Sequence, residues 1–148
     1  MAWQRQIREA LAPHELTHVQ FVLLASLWWL GHNCGQPPRQ SQLAEHAGID
    51  PMMTSQVIRK LAGRGLLDRH PDPTDSRARQ LTLTPLGAAV LTGALADVEM
   101  TDENYFAVLG SRRDALLADL ATLDSAHSAR GAVDDAVVTR TARLGRWR

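Results

Sequence analysis

The stretch Ser41–Thr84, SQLAEHAGIDPMMTSQVIRKLAGRGLLDRHPDPTDSRARQLTLT, decides the fold. It reads helix, turn, helix, strand, charged hairpin, strand. From Ser41 to Ala47 a short helix turns Leu43, Ala44 and Ala47 inward, and Gly48 suits the left-handed position that closes a helix. Asp50 is a good N-cap, and Pro51 takes the favoured first position of a second helix that should run to about Gly63. Gly65 ends the turn before Leu66 and Leu67. Leu81 and Leu83 alternate with Gln80 and Thr82, the pattern of a half-buried strand whose expected partner is Leu67 to His70. Pro71, Asp72, Pro73 and Asp75 in the connection are all turn formers.

On a helical wheel of about 100° per residue, Thr54, Val57, Ile58 and Leu61 fall on one side of the second helix. Met52, Ser55, Gln56, Arg59 and Gly63 fall on the other. The first group is a core stripe. The second offers a hydroxyl, an amide and a guanidinium, with small residues that allow close approach to a groove. Gln pairs with adenine, and Arg with guanine or phosphate. Thr54 and Ser55 lie near the helix N-terminus, where a recognition helix reaches base edges. Taken alone, this group reads better as a solvated polar face; the neighbouring hairpin reverses that reading. There Arg77 and Arg79 share parity, and a narrow minor groove attracts inserted arginine. Asp72 and Asp75 would be repelled by phosphate, so they are expected to shape the turn, with Asp75 also holding one of the arginines.

Working outward, Trp3 to Leu11 presents Trp3, Ile7, Ala10 and Leu11 on one helical face, and Pro13 ends it. Thr17 with Gln20 is a capping box that starts a helix at His18. Val19 to Leu30 is apolar almost all round, including Trp28 and Trp29. That predicts a central helix whose second face meets a partner subunit. On the C-terminal side, Thr84 or Pro85 opens a longer helix carrying Leu86, Val90, Leu91, Leu95 and Val98, broken at Gly110. Ser111 with Asp114 reads as another cap, and Leu116, Leu117, Leu120 and Leu123 line one side of a final helix. From Ser125 the pattern fades into a tail ending RTARLGRWR.

The 148 residues bound this to one domain of ordinary size. Formal charge is zero, but it is unevenly spread. Gln36–Gln80 holds seven Lys/Arg against five Asp/Glu, Thr84–Ser128 two against seven, and Ala129–Arg148 five against two. An acidic scaffold with a mildly basic reader fits a polyanion partner better than the total implies. Cys34 is the sole cysteine, so no intrachain disulfide forms, which suits a reducing cytoplasm. The start does not resemble a signal peptide, and the longest apolar run, Phe21 to Leu30, is far short of the roughly 20 residues of a membrane span.

With these residues in hand, the chain resembles the MarR family of winged helix-turn-helix bacterial transcription regulators. LTHVQFVLL is similar to that family's second helix, QLAEHAGIDPMMTSQVIRKLAGRGLLDR to its helix-turn-helix, and DPTDSRARQLTLTPLG to its wing and the start of its fifth helix. The likeness runs from about Leu16 to Leu123. It implies a mainly α fold with a small β-hairpin wing, flanked by dimerisation helices. Residues 1–35 would be N-terminal helices of the dimer and core, 36–84 the DNA-binding region, 85–125 C-terminal dimerisation helices and 126–148 a basic tail. It further implies a homodimer on a pseudo-palindromic double-stranded DNA operator, acting as a repressor. Ser55, Gln56 and Arg59, with Met52, would enter the major groove, and Arg77, with Arg79, the minor groove. Gln40, Ser41 and Thr54 would touch phosphates or support the helix start. Three departures stand out. The segment before Thr17 is short, Arg39 occupies the place where a capping Thr or Ser often stands, and the tail beyond Ser125 has no counterpart in the family.

Such regulators commonly release DNA when a small molecule, an oxidant or a metal acts on them. Candidate effector contacts are Trp28, Trp29 and His18, with Trp3 beside them, although core packing explains the tryptophans equally well. His14 and His18 are four apart, yet the Thr17 cap puts His14 outside the helix, so no metal site is expected. Cys34 reads as incidental rather than redox-active, since only His32 stands near to lower its pKa. No cofactor is expected. No nucleophile elbow, phosphate loop, metal cluster or carboxylate pair supports an enzyme. The alternative is a winged-helix module that binds another protein without specific DNA recognition.

Overall fold

Six α-helices and one hairpin make up residues 2–128, which the computed structural model describes. In chain order they are α1 (Ala2–Leu11), α2 (His18–Asn33), α3 (Gln40–Ala47), α4 (Pro51–Gly63), β1 (Leu67–Pro71), β2 (Arg79–Leu83), α5 (Pro85–Phe106) and α6 (Arg112–Ser128). Single 3-10 turns at Ala12–His14 and Ala107–Leu109 follow α1 and α5. This is a winged helix-turn-helix with flanking helices. No helix among the described residues is long and apolar enough to cross a membrane. The basic tail expected at 126–148 lies outside the described residues from 129 onward.

Local signals set most of the helix starts. At α2, the Gln20 amide donates to Thr17 Oγ1 (3.3 Å), and the Thr17 amide donates to Gln20 Oε1 (2.9 Å). Two otherwise orphaned donors are thereby satisfied reciprocally. Asp50 Oδ1 accepts the amides of Met52 and Met53 at 2.9 and 3.0 Å, which caps α4, with Pro51 behind it in the first turn. Gly48 closes α3 at φ 62°.

The core is one cluster running from Ile7 and Leu11 of α1 through Phe21, Leu23, Leu24 and Leu27 of α2 to Leu43, Ile58, Leu61, Leu81 and Leu91. Helix α2 is apolar almost all round, and much of that surface meets its own chain: α1, α3, α4, α5 and β2 all pack against it. Val22, Ala25, Trp28 and Trp29 stay only half-buried, so these neighbours do not close every face of the helix.

The hairpin pairs Leu67 with Leu83, Arg69 with Leu81 and Pro71 with Arg79, antiparallel. Leu67 and Leu81 drop into the core, which fixes the register, since a slip of one residue would turn both to water. A third segment joins the sheet without a sequence signal. Arg39 bridges Gln80, and the Leu81 amide donates to the Pro38 carbonyl at 3.0 Å. Beyond the hairpin, Thr84 caps α5 by accepting the Gly87 amide (2.9 Å), while its hydroxyl donates to the Gly65 carbonyl (2.6 Å). Gly87 lies so close to the preceding turn that a Cβ there would stand 1.8 Å from the Leu66 carbonyl oxygen.

Candidate nucleic-acid interface

Two surfaces are the candidates: the outer face of α4 and the hairpin tip. On α4 the division expected from the wheel is present. Thr54, Ile58 and Leu61 are fully buried, while Met52 (72% exposed), Gln56 and Arg59 face outward. Ser55 is half-buried on the same ridge, and its carbonyl accepts Arg59 Nε at 3.3 Å. That contact lays the guanidinium back along the helix.

Thr54 requires a correction. With no exposed surface it has no access to phosphate, and its hydroxyl lies 3.5 Å from the Ile49 carbonyl. Its place is under the helix start, the second of the two roles expected for it. Ser41 is exposed on the first turn of α3. Gln40 is half-buried, and its Oε1 is buried without a hydrogen-bond partner.

The hairpin tip is a tied loop. Asp72 is only 5% exposed. Its Oδ1 accepts the Thr74 amide (2.8 Å), the Thr74 hydroxyl (2.7 Å) and the Asp75 amide (3.0 Å), and Oδ2 accepts Arg39 Nε at 2.7 Å. The Arg39 guanidinium, then the Thr74 hydroxyl and amide, hold this carboxyl well below the ordinary carboxylate range. Asp75 Oδ1 accepts the Arg77 amide at 3.0 Å. So Asp75 fixes the main chain at Arg77 rather than an arginine side chain, which corrects the second part of its expected role. Arg77 at the tip and Arg79 at the start of β2 are both exposed.

Sequence reasoning marks Arg39 only as a missing cap and misses its reach across the fold. Its amide donates to Gln42 Oε1 (2.8 Å), so half of a capping box survives the loss of Ser or Thr. Its side chain instead crosses to Asp72, thirty-three positions on. Neither helical nor strand periodicity links residues that far apart. Arg64 was equally hidden: it follows α4 and donates from Nη1 to the Glu15 carbonyl at 2.7 Å, fastening the end of α4 to the α1–α2 connection.

The effector candidates are spread out. Trp28 stacks on His32, with ring centroids 3.9 Å apart, and Trp29 stacks on His46 of α3 at 4.9 Å. His18 is exposed at the start of α2. His14 points elsewhere, 2.7 Å from Asp97 on α5. Cys34 is exposed at the end of α2. Among the described residues no group of three metal-ligating side chains converges.

Residues 16–78 match the profile of the MarR family. An uncharacterized HTH-type transcriptional regulator, YdcH of Bacillus subtilis (strain 168), is 39% identical over 116 residues, which cover 78% of each chain. Among solved structures, the transcriptional repressor CouR bound to a 23-mer DNA duplex superposes with a TM-score of 0.72 at 32% identity, over 82% of this chain and 84% of that one. The PcaV regulator of Streptomyces coelicolor, solved with its natural ligand, gives a TM-score of 0.64 at 27% identity, over 80% and 77%.

Proposed function

The chain belongs to the MarR family of transcription regulators and is not an enzyme, and from that premise we propose that it is a homodimeric repressor that reads a pseudo-palindromic DNA operator. The observation that carries this is the pairing of two exposed surfaces on one frame. Met52, Gln56 and Arg59, with Ser55 half-buried among them, would enter a major groove, and the exposed hairpin arginines Arg77 and Arg79 would take the adjacent minor groove. Ser41 and Gln40 at the start of α3 would contact backbone phosphates or support the helix start. CouR, which shares the fold, is a repressor solved on DNA.

The second copy belongs to the same proposal. On α6, Leu116, Leu120 and Leu123 are 37, 43 and 57% exposed, and Val108 just before it is 85% exposed. A helix stripe of leucines left in water marks a protein contact surface. A copy of this chain related by a two-fold axis would cover it and set two readers about one helical turn of DNA apart. A small-molecule effector that relieves binding is the remaining part, by analogy with PcaV and its ligand. Trp28, Trp29 and His18 are the residues to vary in seeking it.

Gel-shift titration on the DNA upstream of the chain's own gene tests the reading. Arg77→Ala should weaken binding to many sequences alike. Gln56→Ala and Arg59→Ala should also change the preference among operators, by about 1–3 kcal/mol at the bases they read. Affinity should fall steeply with added salt, because bound phosphates release counterions. Unchanged binding after all three substitutions would reject the face, and a flat salt response would favour a protein partner.

A further inference from the structure

Arg39 sits where α3, the sheet and the hairpin loop meet, and it is bonded to all three. Its amide holds Gln42 Oε1 and its carbonyl accepts the Leu43 amide at 3.0 Å, so its main chain begins α3. It bridges Gln80 of β2. Its guanidinium donates from Nε to Asp72 Oδ2 (2.7 Å), and from Nη2 to Asp72 Oδ1 (3.3 Å) and Thr74 Oγ1 (2.9 Å). The Asp72 side chain is 2% exposed, and that of Arg39 is 40% exposed. Four of these six contacts involve groups that nothing in the local sequence would pair.

A two-stranded hairpin has little rigidity of its own. This one is fixed at its base by Leu67 and Leu81 in the core. Toward its tip, the guanidinium of Arg39 ties it to the start of α3. A planar fork held on three acceptor atoms transmits direction, which a lysine ammonium would not. We infer that Arg39 is a positioning residue for DNA recognition: through Asp72 and Thr74 it sets the angle of the hairpin against the α3–α4 pair, and so the spacing between the Arg77 tip and the α4 ridge. This deepens the DNA reading proposed above and rests on it.

The test is a mutant cycle on the full-length chain, using a duplex recovered by wild-type selection from a random pool. Arg39→Ala and Asp72→Asn should each lower affinity about tenfold, approaching the loss from Arg77→Ala. Combined with Arg77→Ala, neither should lower it much further, because the contact they position is already gone. Discrimination between A/T-rich and G/C-rich flanks should fall to the Arg77→Ala level, while discrimination at the bases read by Gln56 and Arg59 stays as in wild type. A general loss of folding would lower both together. Thermal melts accompany each variant. Should Arg39→Ala melt near the assay temperature, Arg39→Lys carries the same cycle, with affinity again lowered toward that of Arg77→Ala. Additive losses would overturn the inference, since Arg39 would then touch DNA itself. A loss from Arg77→Ala with none from Arg39→Ala or Asp72→Asn would overturn the clamp alone. No loss from Arg77→Ala would overturn the hairpin's part in recognition, and the clamp with it, whereas failure of the wild-type chain to recover any duplex would overturn the DNA reading itself.

Discussion

At the scale of single residues, burial sorts the chain's polar groups into those that shape and those that are displayed. Asp72 is enclosed and satisfied by five donor atoms, whereas Gln56, Arg59, Arg77 and Arg79 stay in water. Glu99 on α5, like Gln40 on α3, departs from this: its Oε1 is buried without a hydrogen-bond partner. Burial, then the nearby charges of Glu103 and Asp102, push its carboxyl upward from the usual carboxylate range. A carboxyl raised in the fold opposes folding once it is ionised, and its contribution is favourable only where it is protonated. Glu99→Gln should therefore raise the melting temperature at pH 7, with the gain fading as the pH is lowered into the carboxylate range. A melt series across pH would show this, and an unchanged or lower melting temperature at neutral pH would refute it. Such effects are invisible in sequence, because Glu99 has the same apparent surroundings as any glutamate on an amphipathic helix.

Elements were far more legible than contacts. The Thr17–Gln20 box, the Asp50–Pro51 start, Gly48 and the Thr84–Pro85 start are local codes, written within four residues of where they act, and each element begins or ends where its code places it. Thr17→Ala should cost about 1 kcal/mol of stability, read as a shift in the urea midpoint with an unchanged slope. The α4 wheel was legible for the same reason, since its buried stripe recurs at helical spacing. What failed was anything set by assembly. The packing of α2 against five neighbours, the Pro38–Arg39 bridge to β2 and the reach of Arg39 to Asp72 depend on elements that meet only after folding. Thr54 was placed both in the core stripe and among the phosphate contacts, and only its burial separated the two.

On the scale of the whole molecule, the apolar surface is distributed unevenly. The reader half closes over its own core, and the C-terminal helix leaves Leu116, Leu120 and Leu123 in water. If a second copy covers that stripe, Leu120→Asp should shift the species seen by light scattering from dimer to monomer. It should also weaken operator binding far more than binding to a half-site, since two linked readers gain from effective concentration. A dimer that persists would place the interface elsewhere. One further consequence follows from the close approach of Gly87 to Leu66. In a library randomised across positions 85 to 87, survivors selected for folding should accept many residues at Pro85 and Leu86, of which both are exposed, and return glycine almost alone at the third codon. The backbone there leaves no room for even a methyl group, so that position acts as a fixed gauge of the distance between hairpin and helix, whatever DNA the protein has been tuned to read.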